Sequence, residues 1–195
     1  MAKVLTHMTM SLDGYIAQPD DQPAELFDWY WGGDVSVPSA QEGMTFEVDE
    51  AGAEILRGLT ESVGALVAGR RRRRTADGWN DSHPAGSPVV VVTHKPPPDA
   101  AERWPKTTFV DGVAAAIDTA REIAGDKDVT IMSADIVQQA LDLGLVDEIC
   151  VSLAPVLFGE GIRYFGPLDG GHLLLEDPVV VQGRRAVHLR YPVRR

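Results

Sequence analysis

Hydrophobic and polar positions alternate along this chain in blocks that read as strands and helices in turn. Residues 4–10 (VLTHMTM) are an apolar-rich run that predicts a buried strand, and Ser11-Leu12-Asp13-Gly14 ends it in a turn. Residues 19–23 (PDDQP) predict a loop, 28–33 (DWYWGG) an aromatic loop or short helix, and 35–43 an irregular stretch. Residues 48–62 predict the first helix. Val48, Ile55, Leu56 and Leu59 fall near helical spacing there, and acids crowd the first turns, where the helix dipole favours them. Short apolar runs at 65–68, 88–93 (PVVVVT), 107–110, 129–132 and 148–154 predict strands, and the β-branched PVVVVT run belongs in the middle of a sheet. Helices are predicted at 113–124, stopped by Gly125, and at 136–143, with Gly144 at its C-terminal end. Residues 95–99 (KPPPD) fit neither helix nor sheet interior. Runs at 173–175, 179–181 and 186–192 predict a β-rich C-terminus.

Strands and helices that alternate and then give way to hairpins predict an α/β fold with a mostly parallel sheet and a C-terminal antiparallel hairpin. No repeat, low-complexity segment or linker divides the 195 residues, so a single domain is expected. A chain of this length buries roughly 70 % of its unfolded surface and needs no disulfide or metal to fold. Its one cysteine, Cys150, rules out an internal disulfide and a cysteine-based zinc cluster. The balance of 18 Lys+Arg against 29 Asp+Glu gives a formal charge of −11, which argues against nucleic acid and anionic membranes as partners. Residues 1–17 lack a basic start followed by an unbroken apolar run, and no stretch approaches ~18 apolar residues. A cytoplasmic protein is therefore expected.

In an open α/β sheet, ligands gather at the carboxyl ends of the strands. Three segments follow predicted strands there. Gly69-Arg70-Arg71-Arg72-Arg73-Arg74 joins a flexible turn to guanidinium groups that match phosphate geometry, against the alternative of a solvated basic face. Met132-Ser133-Ala134-Asp135-Ile136 either lets a pyrophosphate approach a helix N-terminus or supplies a plain N-cap. Thr93-His94-Lys95 offers a hydroxyl, an imidazole and an ammonium, or is simply solvated. Trp29, Tyr30 and Trp31 line a pocket or pack a loop. The five histidines show no metal-binding spacing, and neither a nucleophile elbow, a GxGxxG nor a Walker A motif occurs.

Several of these stretches, taken in order, resemble the dihydrofolate-reductase-like group, which includes the reductase domain of the bifunctional riboflavin-biosynthesis deaminase–reductase. The resemblance lies in residues 9–17 (TMSLDGYIA), Gly69-Arg70-Arg71 with Gly78-Trp79, residues 88–94 (PVVVVTH), 138–148 (QQALDLGLVDE), 155–161 (PVLFGEG) and 188–191 (HLRY). It implies a three-layer α/β/α fold on a mixed, mostly parallel sheet of about eight strands. It also implies NADPH-dependent hydride transfer to a C=N or C=O bond of a small (hetero)aromatic or carbonyl metabolite. The cofactor would contact Ala17, Gly69, Arg70, Arg71, Arg72, Thr93, His94, Lys95, Ser133, Ala134, Asp135 and Ile136. The substrate would lie near Thr9, Ser11, Trp29, Trp31 and Glu50, with Asp13 and Glu54 as candidate catalytic carboxylates. A homodimer through the C-terminal strands and the 155–161 loop is implied as well. Two departures stand out. Arg72 and Arg73 replace a Thr or hydrophobic residue and an aromatic, and Ser133-Ala134 replaces Gly-Gly, where a Cβ is expected to crowd the cofactor or to oppose a positive φ. The alternative these departures raise is a cleft used for cofactor-free catalysis or metabolite binding.

Overall fold

The computed structural model describes residues 2–70 and 81–194. An eight-stranded sheet forms its middle layer. Its strands are β1 (Val4–Ser11), β5 (Val63–Gly69), β6 (Val89–Val92), β7 (Thr107–Val110), β8 (Asp128–Ile131), β9 (Glu148–Ala154), β11 (Val179–Gln182) and β12 (Val187–Pro192), in the spatial order β11-β12-β9-β1-β8-β5-β6-β7. The pairs from β9 through β1, β8, β5, β6 and β7 are parallel, while β12 runs antiparallel to both β9 and β11. This is the mixed sheet and closing hairpin that the alternation of elements predicts. Two small ribbons flank it: β2 (Tyr15–Ala17) with β10 (Ile162–Arg163), and β3 (Val35–Pro38) with β4 (Thr45–Val48).

Three stretches differ from expectation. Residues 35–43 begin in the β3–β4 hairpin, because Val37 and Phe46 bury themselves as a cross-strand pair. Val48 ends β4 and does not start a helix. Asp49 caps α1 (Glu50–Ser62), its side chain accepting the amide of Gly52 at 2.8 Å. Residues 173–175 form no strand either: Leu175 makes one isolated bridge to Val193.

One face of the sheet is closed by α3 (Val113–Ala124) and α4 (Ala134–Asp142), the short α2 (Ala100–Arg103) lying before β7. Val4, Val67, Val129, Ile131, Ile117 and Val137 are fully buried in this layer. The helix sits close because α3 offers alanines at 116, 120 and 124. A Cβ on Gly64 would lie 2.7 Å from the Cα of Ala124. The opposite face is covered by α1, the β3–β4 hairpin and a 3-10 helix, Ala24–Trp31. There the tip of the β11–β12 hairpin reaches over. Arg184 donates its amide to Asp49 and pairs with Asp34 at 3.9 Å, and Arg185 pairs with Asp28 at 3.1 Å.

Candidate active site

The carboxyl ends of β5, β8 and β6 form one rim, and the expected cofactor segments lie along it. Gly69 ends β5 and faces Ser133, whose Oγ would be 2.7 Å from a Cβ at Gly69. Ser133 caps α4 with extended backbone (φ −149°, ψ 129°), and neither it nor Ala134 has a positive φ. The backbone of this turn therefore needs no glycine, contrary to the expectation that such a conformation opposes the Cβ atoms. Ser133 makes no side-chain cap bond, and the first helical hydrogen bond runs from Val137 to the Ser133 carbonyl at 2.8 Å. The amides of Ala134, Asp135 and Ile136 thus have no helical acceptor, the arrangement that receives anions. Asp135 stands in this first turn, and the Ile136 side chain is buried in the core. Thr93 is buried, with its Oγ1 accepting the Lys95 amide at 3.2 Å, whereas His94 and Lys95 are exposed. Arg70 is exposed just beyond β5, and Arg71, Arg72 and Arg73 lie outside the described residues. Ala17 is buried in β2, and a Cβ on Gly161 (φ +142°) would meet its carbonyl oxygen at 2.2 Å. The donor set of this rim fits a phosphate group.

The turn after β1 is a latch. Asp13 accepts hydrogen bonds from the Ser11 hydroxyl (2.6 Å) and from the amides of Phe158 (3.1 Å) and Gly159 (2.7 Å). The Ser11 hydroxyl, with those amides, outweighs the opposing effect of burial and holds the Asp13 carboxyl at about 2. A carboxylate held this low retains its charge and is a poor proton donor, which corrects its assignment as a catalytic acid. Ser11 is fully buried, and its hydroxyl also accepts the Tyr15 amide at 2.9 Å. Its hydroxyl is committed to the turn, so it is not a substrate contact.

A second opening lies beneath the 3-10 helix. A cleft of about 340 Å³ is lined by Phe27, Tyr30 and Trp31, by Met44 and Phe46 of the hairpin segment, by His83-Pro84, by Met132, and by His7 and Thr9. An inner chamber of about 80 Å³ shares His7, Tyr30, Phe46, His83 and Met132 and adds Thr130. Tyr30 stacks with Phe27 (5.3 Å) and tilts against Phe46 (4.9 Å), so the aromatic wall is rigid on both sides. Trp31 is half exposed at the mouth, while Trp29 is buried behind the wall and donates its indole N–H to Thr9 Oγ1 at 3.1 Å. Trp29 therefore supports the cleft and does not line it. Glu50 and Glu54 stand exposed on α1, away from this cleft. Glu50 contributes to a shallow surface depression, and Glu54 borders a separate cleft of about 330 Å³ between α1 and strands β9, β11 and β12. The structure brings neither of them to Asp13 or Thr9.

Polar residues that the sequence reading passed over sit at the centre of this face. His7 of β1 bonds through Nε2 to Ser152 Oγ of β9 (3.2 Å), and Ser152 Oγ bonds to His188 Nδ1 of β12 (2.8 Å). Burial pushes His7 down to about 4, with His188 adding to the effect, and burial also lowers His188, which Asp49 opposes. Both rings are therefore neutral near pH 7. The Thr130 hydroxyl, 2 % exposed, has no hydrogen-bond partner among the described residues. The signal was available in the strand period: His7, Thr9, Ser152 and His188 all point to one sheet face, which a buried strand would otherwise fill with apolar groups.

The mixed eight-stranded sheet with two helical layers, opened along its carboxyl rim, is the dihydrofolate-reductase-like α/β architecture. The RibD C-terminal domain model matches residues 2–181, and the chain belongs to that family. Among solved structures, a Shewanella sp. PV-4 protein assigned to riboflavin biosynthesis is 24 % identical with a TM-score of 0.69, covering 99 % of both chains. The Saccharomyces cerevisiae riboflavin biosynthesis reductase Rib7 is 11 % identical with a TM-score of 0.61, covering 99 % of this chain and 90 % of that one. Dihydrofolate reductase from Enterococcus faecalis, solved with NADP(H), is 12 % identical with a TM-score of 0.59, covering 99 % and 97 %. At these identities the likeness establishes the fold. Among curated proteins, none matches the sequence significantly. Among the described residues no helix is long and apolar enough to cross a membrane.

Proposed function

We propose that this protein is an NADPH-dependent reductase acting on a C=N or C=O bond of a small, planar, uncharged metabolite. The observation that carries the reading is the position of Met132. It leads from β8 into the Ser133-Ala134 turn of the phosphate-binding rim, and its side chain lines the aromatic cleft. One residue thus joins the two half-sites that hydride transfer requires. When bound, NADPH supplies the hydride. On the protein side, Gly69 permits close backbone approach, the open amides of 134–136 and the Ser133 hydroxyl offer donors, and Arg70 and Lys95 offer positive charge. The aromatic wall stacks a flat ring and excludes water. Among the described residues no acid, lysine or arginine lines the cleft, which favours an uncharged ligand. Thr9 Oγ1 accepts from Trp29 and so keeps its own proton for a ligand acceptor.

The test is titration of the purified protein with NADPH, following cofactor fluorescence and melting temperature, with NADH as control. At about 100 times Kd the native state gains about 2.7 kcal/mol. That raises Tm by about 5–10 °C for a domain of this size. No shift at millimolar cofactor overturns the reading. The Ser133 side chain against Gly69 supports a second reading, a cleft retained for cofactor-free chemistry or metabolite binding. Binding only by the Ser133→Gly, Ala134→Gly double variant selects that second reading.

A further inference from the structure

His7 stands where three of the openings meet. It lines the aromatic cleft, the inner chamber and the cleft beneath α1. Its Nε2 is engaged by Ser152, while no hydrogen bond occupies its Nδ1 among the described residues. Ser152 in turn engages Nδ1 of His188, which lines the cleft beneath α1 and is steadied by Trp29 edge-on at 4.9 Å. Three adjacent strands place these groups: Ser152 is in register with His188 on one side and with Thr9, two residues beyond His7, on the other. A serine hydroxyl has one proton. Between two neutral imidazoles it donates to one and accepts from the other, so the tautomers of the two rings are coupled.

We propose that His7 is the catalytic residue that delivers the proton to the substrate heteroatom, and that Ser152 and His188 are positioning residues forming one relay from the cleft beneath α1. The chemistry rests on the reductase reading above; the wiring of the relay does not. Reduction of a C=X bond adds a hydride to carbon and a proton to X, and the relay supplies the proton alone. The His7 Nδ1–H bond breaks as X–H forms. The Ser152 hydroxyl proton passes to His7 Nε2, and the His188 Nδ1 proton passes to Ser152. The second nitrogen of His188 takes a proton from water in its cleft, and the hydroxide left behind is neutralised by bulk solvent. Each ring ends neutral in its other tautomer, and no charge is left in the buried layer. After product leaves, the relay resets by the reverse hops: His7 Nδ1 takes a proton from solvent, its Nε2 proton returns to Ser152, the Ser152 proton returns to His188 Nδ1, and the outer nitrogen of His188 releases its proton to water. This explains why two histidines and a serine occupy strand positions that packing alone would fill with apolar side chains.

The first test needs no substrate. In full-length protein labelled with 15N-histidine at neutral pH, long-range NMR is expected to show both rings neutral, with one of His7 Nε2 and His188 Nδ1 protonated and the other bare. Ser152→Ala is expected to redistribute the tautomer of at least one ring. Both bonded nitrogens protonated, or tautomers unmoved by Ser152→Ala, overturns the relay. The second test uses NADPH with isatin, a flat carbonyl probe of a size the cleft admits. His7→Phe and the polar His7→Gln are expected to keep the NADPH-induced melting shift and to lose about 100-fold in kcat, the low end for a proton-transfer group. Ser152→Ala is expected to raise the solvent deuterium isotope effect on kcat, which a packing role would leave alone. Wild-type turnover in both His7 variants overturns the proposal. A wild type that binds NADPH yet does not reduce isatin counts against the reductase reading, and the tautomer experiment then decides the relay on its own.

Discussion

Acidification is expected to weaken this fold through His7 before the carboxylates respond. In the native protein burial holds His7 at about 4, whereas an unfolded chain restores a value near 6.5. As pH falls below ~6.5, the unfolded chain takes up a proton that the folded ring refuses, so stability drops with falling pH and levels off below about pH 4. Between about pH 7.5 and pH 5.5 the loss integrates to about 1.4 kcal/mol for this residue. That corresponds to about 3–6 °C in Tm for a domain of this length. His188 is lowered as well and adds in the same direction. Asp13 is also lowered, but its contribution is lost only below the ordinary carboxylate range, outside this window. The assay is urea denaturation of wild type and His7→Gln at the two pH values. Glutamine keeps a partner for Ser152 and cannot titrate. Wild type is expected to lose about 1.4 kcal/mol more than the variant. Equal losses refute the argument that the ring is buried and neutral.

Other outcomes follow from the same geometry. Asp13→Asn is expected to lower Tm and speed hydrogen exchange at the amides of Phe158 and Gly159, which donate to this carboxylate; unchanged exchange contradicts the latch. Gly64→Ala is expected to cost about 1–3 kcal/mol in urea denaturation, since the added methyl meets the backbone of Ala124 and not a movable side chain. A homodimer is expected from the C-terminal strands, where Val179 and Val180 are more than half exposed; sedimentation at micromolar protein showing only the 21.1 kDa species rules it out.

The parallel part of the fold was legible because each of its strands is a short apolar run bounded by a turn, as residues 88–93 illustrate. The β3–β4 hairpin was not, since Pro38 and the short, mixed strands mask its pairing until Phe46 finds Val37. Asp49 followed by Glu50 carried a capping signal, and the apolar Val48 pulled the helix start two residues too early. The rim was legible as strand ends followed by small or basic residues. The substrate side was harder to read. His7 and His188 lie 181 positions apart, and only the register of β1, β9 and β12 brings them to one serine. Asp13 looked catalytic because a carboxylate beside a glycine is conspicuous, but its hydrogen bonds belong to the 158–159 backbone.

The strand that carries His188 is the last of the sheet in chain order, yet it lies between β9 and β11. Its hairpin tip also ties down Asp28, Asp34 and Asp49 around the aromatic wall. The residues of the two clefts that lie outside this strand all precede it in the chain. Both sides of the sheet therefore stay incomplete until this strand docks, because it brings His188 to the cleft beneath α1 and Leu189 and Tyr191 to the α3–α4 core. One strand thus couples the packing of the core layer to the assembly of the clefts.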